Sequence, residues 1–549
     1  MTPTRGPEGG ASTGGWPGPW AGRGGAGALS GILCALAMPP FPLWPLAFVG
    51  LVPLARVIVA PGATRDVAVR NGLAFGVVFY GIQLHWVPPT LHGLVPAGAV
   101  TGVLAILILA GVAGGQAVAL RHLAIRSGIP VVVALPLVWV GFEAILVRAG
   151  PLAFPWLPLG LSLGSTPAIA GIAELGGVAL LTAWVVVVNG ALAALSPGGS
   201  SLAGFEARWG GRILAVLAMA GLVVGPAAWG AWRVSALPME ELPPVQLVQI
   251  GPSRDLLLDP GRRDEAVRAA IEQVVSGSVP TGAERSGPGM PESAARVRSS
   301  GDESPVLIIL PEAPFSARWD PEVERFFAEL AVGRETPILV GSHVRGGPVA
   351  DGGAGQGGQD DLFNALVLLG PDHSTETVHL KGRLVPGVER PGLTSGGPGE
   401  VIELAGLRMG FLVCFEAAFG SETRRYRAAG ANLLVNPSND GWFLPRGFGR
   451  GSAAHAQHRA HLVMRAVEVR TGAVRSSIGG GLLAVGADGR ILAEGTPGEA
   501  GSVTVRVRTS ARPTLYARTG DVAGWLGMAG LILCLLVPIR RVLPGREVA

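Results

Sequence analysis

Apolar runs with almost no charge recur through the first 235 residues and once more near the end of the chain. At the length needed to cross hydrocarbon, they predict spans near 26–40, 41–60, 71–91, 94–120, 129–147, 167–195, 212–232 and 521–538. Pro39 and Pro40 split the first long run, so a re-entrant hairpin stands as an alternative to the first two crossings. From about residue 242 the pattern changes to short β-rich runs alternating with helical stretches. Strands are expected at 245–250, 306–310, 337–340, 362–369, 407–413 and 432–435, and helices at 262–276, 320–333 and 453–470. Such alternation predicts a layered α/β domain over 242–508 beside a seven-span bundle over 26–235.

Composition supports the division. Hydrophobic residues make up 49% of the 549 and charged residues 15%, and the mean hydropathy is +0.44, which is too apolar for a soluble globule of this size. Residues 1–25, rich in Gly and Pro, read as a disordered cytoplasmic tail, with 539–549 as a second short tail. Residues 277–304 and 346–360 read as surface insertions. Arginine is concentrated on one side of the predicted spans, at Arg56, Arg65, Arg70, Arg121 and Arg126 and at both ends of the chain. By the positive-inside rule this predicts cytoplasmic termini and places 233–520 on the opposite side. The net charge of +4 arises largely from these span ends, and no basic run interleaved with aromatics suggests a nucleic-acid partner. Of three cysteines, Cys34 and Cys534 fall in apolar spans, leaving Cys414 as the lone thiol of the α/β segment.

Candidate chemistry falls at strand ends, where an open α/β sheet presents its reactive groups. Glu312 follows Val306–Leu310, Cys414 follows Gly410–Val413, and Lys381 follows Thr377–Leu380. Lys381 is also the one lysine among 43 basic residues. A compact ammonium offers chemistry that a guanidinium fork does not. Together the three supply a nucleophile, a base and a cation, a complete set for acyl transfer through a thioester.

The strings Leu310-Pro-Glu-Ala, Leu380-Lys-Gly-Arg-Leu-Val-Pro386 and Val413-Cys-Phe-Glu416 resemble the Glu-Lys-Cys signature of the nitrilase, or carbon–nitrogen hydrolase, superfamily. With seven spans before it and one after, the chain resembles that superfamily's membrane branch, the apolipoprotein N-acyltransferases. Phe154-Pro-Trp-Leu157, Asn439-Asp-Gly-Trp-Phe443, Arg465-Ala-Val-Glu-Val-Arg470 and Thr514–Asp521 carry that second resemblance. It implies an α-β-β-α sandwich tethered to the bundle, with Glu312 as general base, Lys381 at the oxyanion and Cys414 as nucleophile. Glu389, Glu416 and Asn439 would support them. The implied reaction moves an acyl chain from a phospholipid, through a Cys414 thioester, to the α-amine of the S-diacylglyceryl cysteine of an apolipoprotein, with no cofactor and no metal. It implies a bacterial cytoplasmic membrane, with the catalytic domain extracytoplasmic. Trp442, Phe443, Arg446, Phe448 and Arg450 are expected to form a lid whose apolar side dips into lipid. The chain departs from the family pattern at Phe415, where tyrosine is usual, and at Ser477–Gly480.

Other residues take plainer readings. His455, His458 and His461 have a spacing that invites a metal, but no carboxylate or thiol pattern accompanies them. Glu143 and Glu174 lie in or beside apolar spans, and Glu143 is expected to make a polar contact within the bundle, with Arg148 as a candidate. Trp86, Trp156 and Trp232 are expected as interfacial anchors. A membrane-tethered amidase with water as acceptor is an alternative. So is a transporter or scaffold, although the sequence has no sign of inverted repeats or broken helices.

Overall fold

In the computed structural model the described residues are 24–92, 94–195, 209–251, 256, 259–275, 303–316, 318–346, 360–389, 392–443 and 453–536, with backbone alone at 209–216 and 260. Nearly all of both expected tails and of the two insertions lie outside them, as do Arg446, Phe448 and Arg450.

The bundle contains α1 (Gly25–Ala37), α2 (Val52–Val59), α3 (Arg65–Gln83), α4 (Val87–His92), α5 (Gly98–Arg121), α6 (Val131–Val147), α7 (Ala173–Leu195) and α8 (Trp209–Ala236). Among the described residues three apolar stretches, Gly98–Arg126, Ile169–Leu195 and Leu217–Ala236, are long and apolar enough to cross a membrane. The others are shorter. The chain breaks after Ala37, makes a 3-10 turn at Trp44–Phe48 and resumes as α2, and at ~1.5 Å per residue neither piece alone covers a ~30 Å core. Small residues bring helices close: at Gly76 of α3 a Cβ would lie 2.5 Å from the Ala110 Cα of α5. The outer face of α5 is apolar and exposed at Val100, Leu104 and Ile108, as a lipid-facing surface requires.

The second unit is a four-layer sandwich. Beside a short ribbon of β1 (Glu240–Glu241) and β16 (Arg508–Thr509), one sheet orders its strands β10 (Ser438–Asn439), β12 (Ser477–Ile478), β2 (Val245–Ile250), β3 (Leu307–Ile309), β4 (Ile338–Arg345), β5 (Leu362–Leu369) and β6 (Thr375–Leu380), with β15 (Gly501–Val505) also paired to β2. The other orders β14 (Ile491–Glu494), β13 (Leu483–Val485), β11 (Gly472–Arg475), β9 (Leu433–Val435), β8 (Leu407–Phe411) and β7 (Ile402–Leu404). Side-chain alternation places Leu307 and Ile309 between the sheets against Met409, Phe411 and Leu433. Ile308 faces the other way, under α9 (Pro260–Val275) and α10 (Pro321–Arg334). The second sheet is covered by α11 (Gly420–Ala428) and α12 (Ala453–Val469).

Helix α12 joins the two units. Leu462, Val463 and Ala466 pack on the sheet, while Ala460, Met464 and Val467 belong to the bundle's core. Glu174 of α7 accepts from Arg470 at 2.8 Å and from Arg233 of α8 at 2.6 Å. The chain closes with α13 (Leu515–Thr519) and α14 (Val522–Leu536), the latter packed on α6.

Three expectations are corrected. Arg148 pairs with Asp521 at 2.8 Å rather than with Glu143. Glu143 instead accepts from the Leu159 N–H and the Thr182 hydroxyl, which sit directly across from it. Trp86 and Trp156 are buried rather than interfacial, because both indole N–H groups donate to Gln457 of α12. Trp232 is exposed, as an anchor would be.

Candidate active site

Strand register brings the three strand-end residues together. Glu312 leaves β3, and Lys381 follows β6 with its backbone N–H bonded to the Asn364 carbonyl of β5. The Lys381 ammonium, 1% exposed, donates to Glu312 at 2.9 Å and to Glu389 at 2.7 Å. Burial alone would lower its pKa, but the two carboxylates outweigh burial and hold it well above the ordinary lysine value. Lys381 is therefore a fixed cation.

Cys414 begins a 3-10 turn, Cys414–Ala418, with φ of +48°. A side chain is strained there, and such strain is characteristic of functional turns. Its thiol is raised well above the ordinary value, first by burial and then by the Glu312 charge, with Lys381 acting in the opposite direction. The thiol is thus neutral at rest, and it could act as a nucleophile only if a base took its proton. Glu312 is held in place by three donors: Oε1 accepts from Lys381 and from Asn364 at 2.6 Å, and Oε2 from the Asn439 N–H at 2.9 Å. Glu389 accepts from the Val385 N–H at 2.7 Å and shares Asn364.

Glu416 ties two strand ends into one site. It accepts from the N–H groups of Val413, Gly382 and Arg383 and pairs with His379 at 3.0 Å. Burial raises its carboxyl, but His379 and the backbone donors outweigh that and hold it below the usual range. The expected support from Asn439 is supplied by its backbone N–H, while its buried side-chain oxygen has no partner.

Two groups escaped the sequence. Asn364 bridges both glutamates, and its one signal was an amide in the apolar strand Leu362–Leu369. The second is a buried pair beside Cys414. His458 Nδ1 lies 3.0 Å from Asp440 Oδ1, and Nε2 lies 3.1 Å from the Cys414 carbonyl oxygen. Burial raises the Asp440 carboxyl, but His458 and Arg475 reverse this and hold it far below the usual range, so it accepts. Each His458 nitrogen thus faces an oxygen of the protein, one from Asp440 and one from the Cys414 backbone.

The Cys414 sulfur, an Asp440 oxygen and a His458 nitrogen lie within 4.8 Å of one another, as metal ligands would. Both His458 nitrogens are within hydrogen-bond distance of oxygens of the protein, Asp440 Oδ1 and the Cys414 carbonyl. The other two histidines turn elsewhere, His455 towards the Asp440 carbonyl and His461 towards that of Trp156.

An aromatic wall stands between the nucleophile and the bundle. Phe415 stacks on Trp156 at 6.0 Å and on Phe154 at 6.1 Å, and Phe443 meets Trp86 edge-on at 5.0 Å. Of the expected lid residues, Trp442 and Phe443 are described. Trp442 accepts from Thr90 through its carbonyl, and Phe443 packs into this wall.

Comparison with known proteins agrees with both units. Residues 30–191 match the apolipoprotein N-acyltransferase N-terminal domain, and 292–514 match the carbon–nitrogen hydrolase family. An apolipoprotein N-acyltransferase of Geobacter metallireducens is 28% identical over 93% of this chain and 94% of its own. One from Bordetella bronchiseptica is 27% identical over 93% and 95%. Among solved structures, a nitrilase-superfamily amidase from Nesterenkonia sp. AN1 aligns at 17% identity, covering 48% of this chain and 91% of its own, with a TM-score of 0.34.

Proposed function

The chain belongs to the apolipoprotein N-acyltransferase family, and from that premise we propose how its own residues carry the reaction. The enzyme is an acyltransferase that N-acylates the N-terminal S-diacylglyceryl cysteine of apolipoproteins with an acyl chain from a phospholipid. The observation that carries the assignment of roles is the buried Lys381, clasped between Glu312 and Glu389 beside a strained Cys414.

In the first half-reaction Glu312 takes the thiol proton as sulfur attacks the ester carbonyl carbon. The alkoxide-like oxygen that develops is met by the Lys381 ammonium. Collapse expels the lysophospholipid oxygen, which recovers the proton from Glu312, and leaves an acyl thioester. In the second, the acceptor's α-amine attacks that thioester while Glu312 takes its proton. The amide forms and Cys414 leaves as thiolate, to be reprotonated by Glu312. Each transfer moves a proton between two groups inside the cluster and leaves the net charge of the site unchanged. Lys381 can therefore stay ionised throughout. Glu389 and Asn364 hold the ammonium and the base in register, Glu416 joins the lysine and cysteine turns, and the wall around Phe415 and Trp156 shields the thioester from water.

We place this chemistry at a bacterial cytoplasmic membrane, with eight crossings, cytoplasmic termini and the sandwich on the extracytoplasmic face. The arginine distribution and the apolar helices support that reading. The residues from Trp442 to Arg450 would cover the site as a lid. Incubation of the purified protein with labelled phospholipid should give an acyl adduct on Cys414 by mass spectrometry, discharged by a diacylglyceryl lipopeptide. An acceptor modified in the absence of any such adduct would refute the thioester route.

A further inference from the structure

A buried polar oxygen is nearly always met by a donor, so one that is not calls for an explanation. Three side-chain amide oxygens are buried without a partner among the described residues, those of Gln246, Asn364 and Asn439. The last two belong to residues that flank Glu312. Asn364 is 2% exposed and Asn439 6%. The Asn364 amide nitrogen donates to Glu312 Oε1 at 2.6 Å and to Glu389 Oε1 at 3.3 Å. Ionised carboxylates only accept, so the nitrogen faces them and the unmet atom of Asn364 is its oxygen.

Both residues border the catalytic gap. Asn364 shares its face of β5 with Leu366, two residues on, which packs between the sheets in the cluster that Cys414 also touches. Asn439 approaches from the other side: its N–H donates to Glu312 Oε2 at 2.9 Å. The Cys414 N–H bonds the carbonyl of Pro437, two residues before Asn439, at 2.9 Å. The base is thus bracketed, one residue at each carboxylate oxygen, by two amide groups whose oxygens no described residue satisfies.

The nucleophile of the second half-reaction is a primary amine. As its nitrogen attacks the thioester it carries two N–H groups; Glu312 takes one as a proton, and the other has to be met in a site shielded from water. An amine that arrives protonated brings a third. The competing nucleophile is the lysophospholipid just released, an alcohol whose one O–H goes to Glu312 and leaves both amide oxygens unmet. We propose that Asn364 and Asn439 are an amine-recognition pair, their side-chain oxygens accepting the N–H groups of the acceptor's α-amine that Glu312 does not take. The proposal rests on the acyltransferase reading above and adds hydrogen bonds alone; the bonds made and broken are those given there. A site with a buried acceptor strongly rejects a ligand that lacks the matching donor. The pair therefore biases the acyl-enzyme towards the lipopeptide and against returning its chain to the lysophospholipid.

The test starts from isolated acyl-Cys414 enzyme and compares its discharge by a diacylglyceryl lipopeptide, an amine, and by lysophosphatidylglycerol, whose nucleophile is a hydroxyl. Asn439→Leu keeps the backbone N–H to Glu312 and removes the amide oxygen. In that variant the ratio of amine to hydroxyl discharge should fall about tenfold or more, the loss of one hydrogen bond to a buried group. An unmoved ratio overturns the proposal. In the unaltered protein, a lipopeptide with an N-methylated α-amine has one N–H fewer and should discharge the thioester about tenfold or more slowly than the primary amine. Equal rates overturn the proposal, and this arm does not depend on a variant folding. The preference for the primary amine should shrink in Asn439→Leu; an undiminished preference assigns it to the bulk of the methyl group and overturns the proposal too. If the unaltered acyl-enzyme does not form from phospholipid, or the primary amine does not discharge it, the acyltransferase reading itself fails. Normal discharge with an unmoved ratio removes the amine-recognition pair alone.

Discussion

Lys381 illustrates what one residue can be asked to do. Its ammonium fills a space bounded by Glu312, Glu389 and the thiol, at 1% exposure, and a guanidinium would need more room and a different donor geometry. Lys381→Arg should keep the charge yet lower turnover by about 10²–10³-fold, the loss typical of a displaced oxyanion donor, as measured by lipopeptide acylation. Glu312 allows a sharper test, because its charge raises the thiol. Glu312→Gln should abolish acyl transfer while speeding alkylation of Cys414 by iodoacetamide at neutral pH, since Lys381 would then favour the thiolate unopposed by that carboxylate. Slower alkylation would contradict the electrostatic account. Glu416 and Asp440 govern the acid limb of stability. Both carboxyls are depressed in the folded protein, so their contribution is complete above the unfolded carboxylate range near ~4, declines below it and is lost as pH falls through the depressed folded values. Melting temperature in detergent should drop on acidification below about pH 4, and Glu416→Gln should flatten that slope.

At the scale of elements, helix α12 holds the informative discrepancy between pattern and structure. The sequence places a helix at 453–470, and the structure has it at Ala453–Val469. An outer helix of a sandwich would expose its polar side, yet Gln457, His458, His461, Arg465 and Glu468 are all buried. Arg465 pairs with Glu468 within the helix, while Gln457, His458, His461 and Glu468 find partners in the bundle, the Phe154–Leu157 segment and the Cys414 turn, far away in sequence. Helical periodicity records which residues are polar, not which surface will cover them. His458→Ala should therefore slow Cys414 acylation as well as lower stability by about 1–3 kcal/mol, the cost of leaving buried partners unsatisfied. His458→Gln, which can still donate to the Cys414 carbonyl, should recover part of the acylation rate. Loss of stability with an unaltered acylation rate would make the histidine purely structural.

For the whole molecule, the decisive contacts lie where the sandwich meets the bundle. Glu174 holds Arg470, fully buried, and Arg233 in one network across that junction. Glu174→Ala leaves Arg470 without its buried counter-charge and should cost about 3–5 kcal/mol, read as a lower melting temperature in detergent and release of rigid coupling between the two units. The arrangement also explains why a hydrolase-like site accompanies an apolar bundle. Trp86 and Trp156, both from the bundle side, form part of the wall beside Phe415, so the site is incomplete without it.

Local pattern by itself determined the apolar bundle, the α/β segment, most strand positions and the strand-end placement of Glu312, Lys381 and Cys414, because side-chain periodicity and span length are properties of neighbouring residues. Tertiary structure alone decided that Asn364 bridges two glutamates, that His458 links Asp440 to the Cys414 backbone, that Trp156 is buried in an aromatic wall, and that Arg148 selects Asp521 over Glu143. Each of these pairs residues brought together by packing, and the energy of a buried polar group depends on the partner that packing supplies.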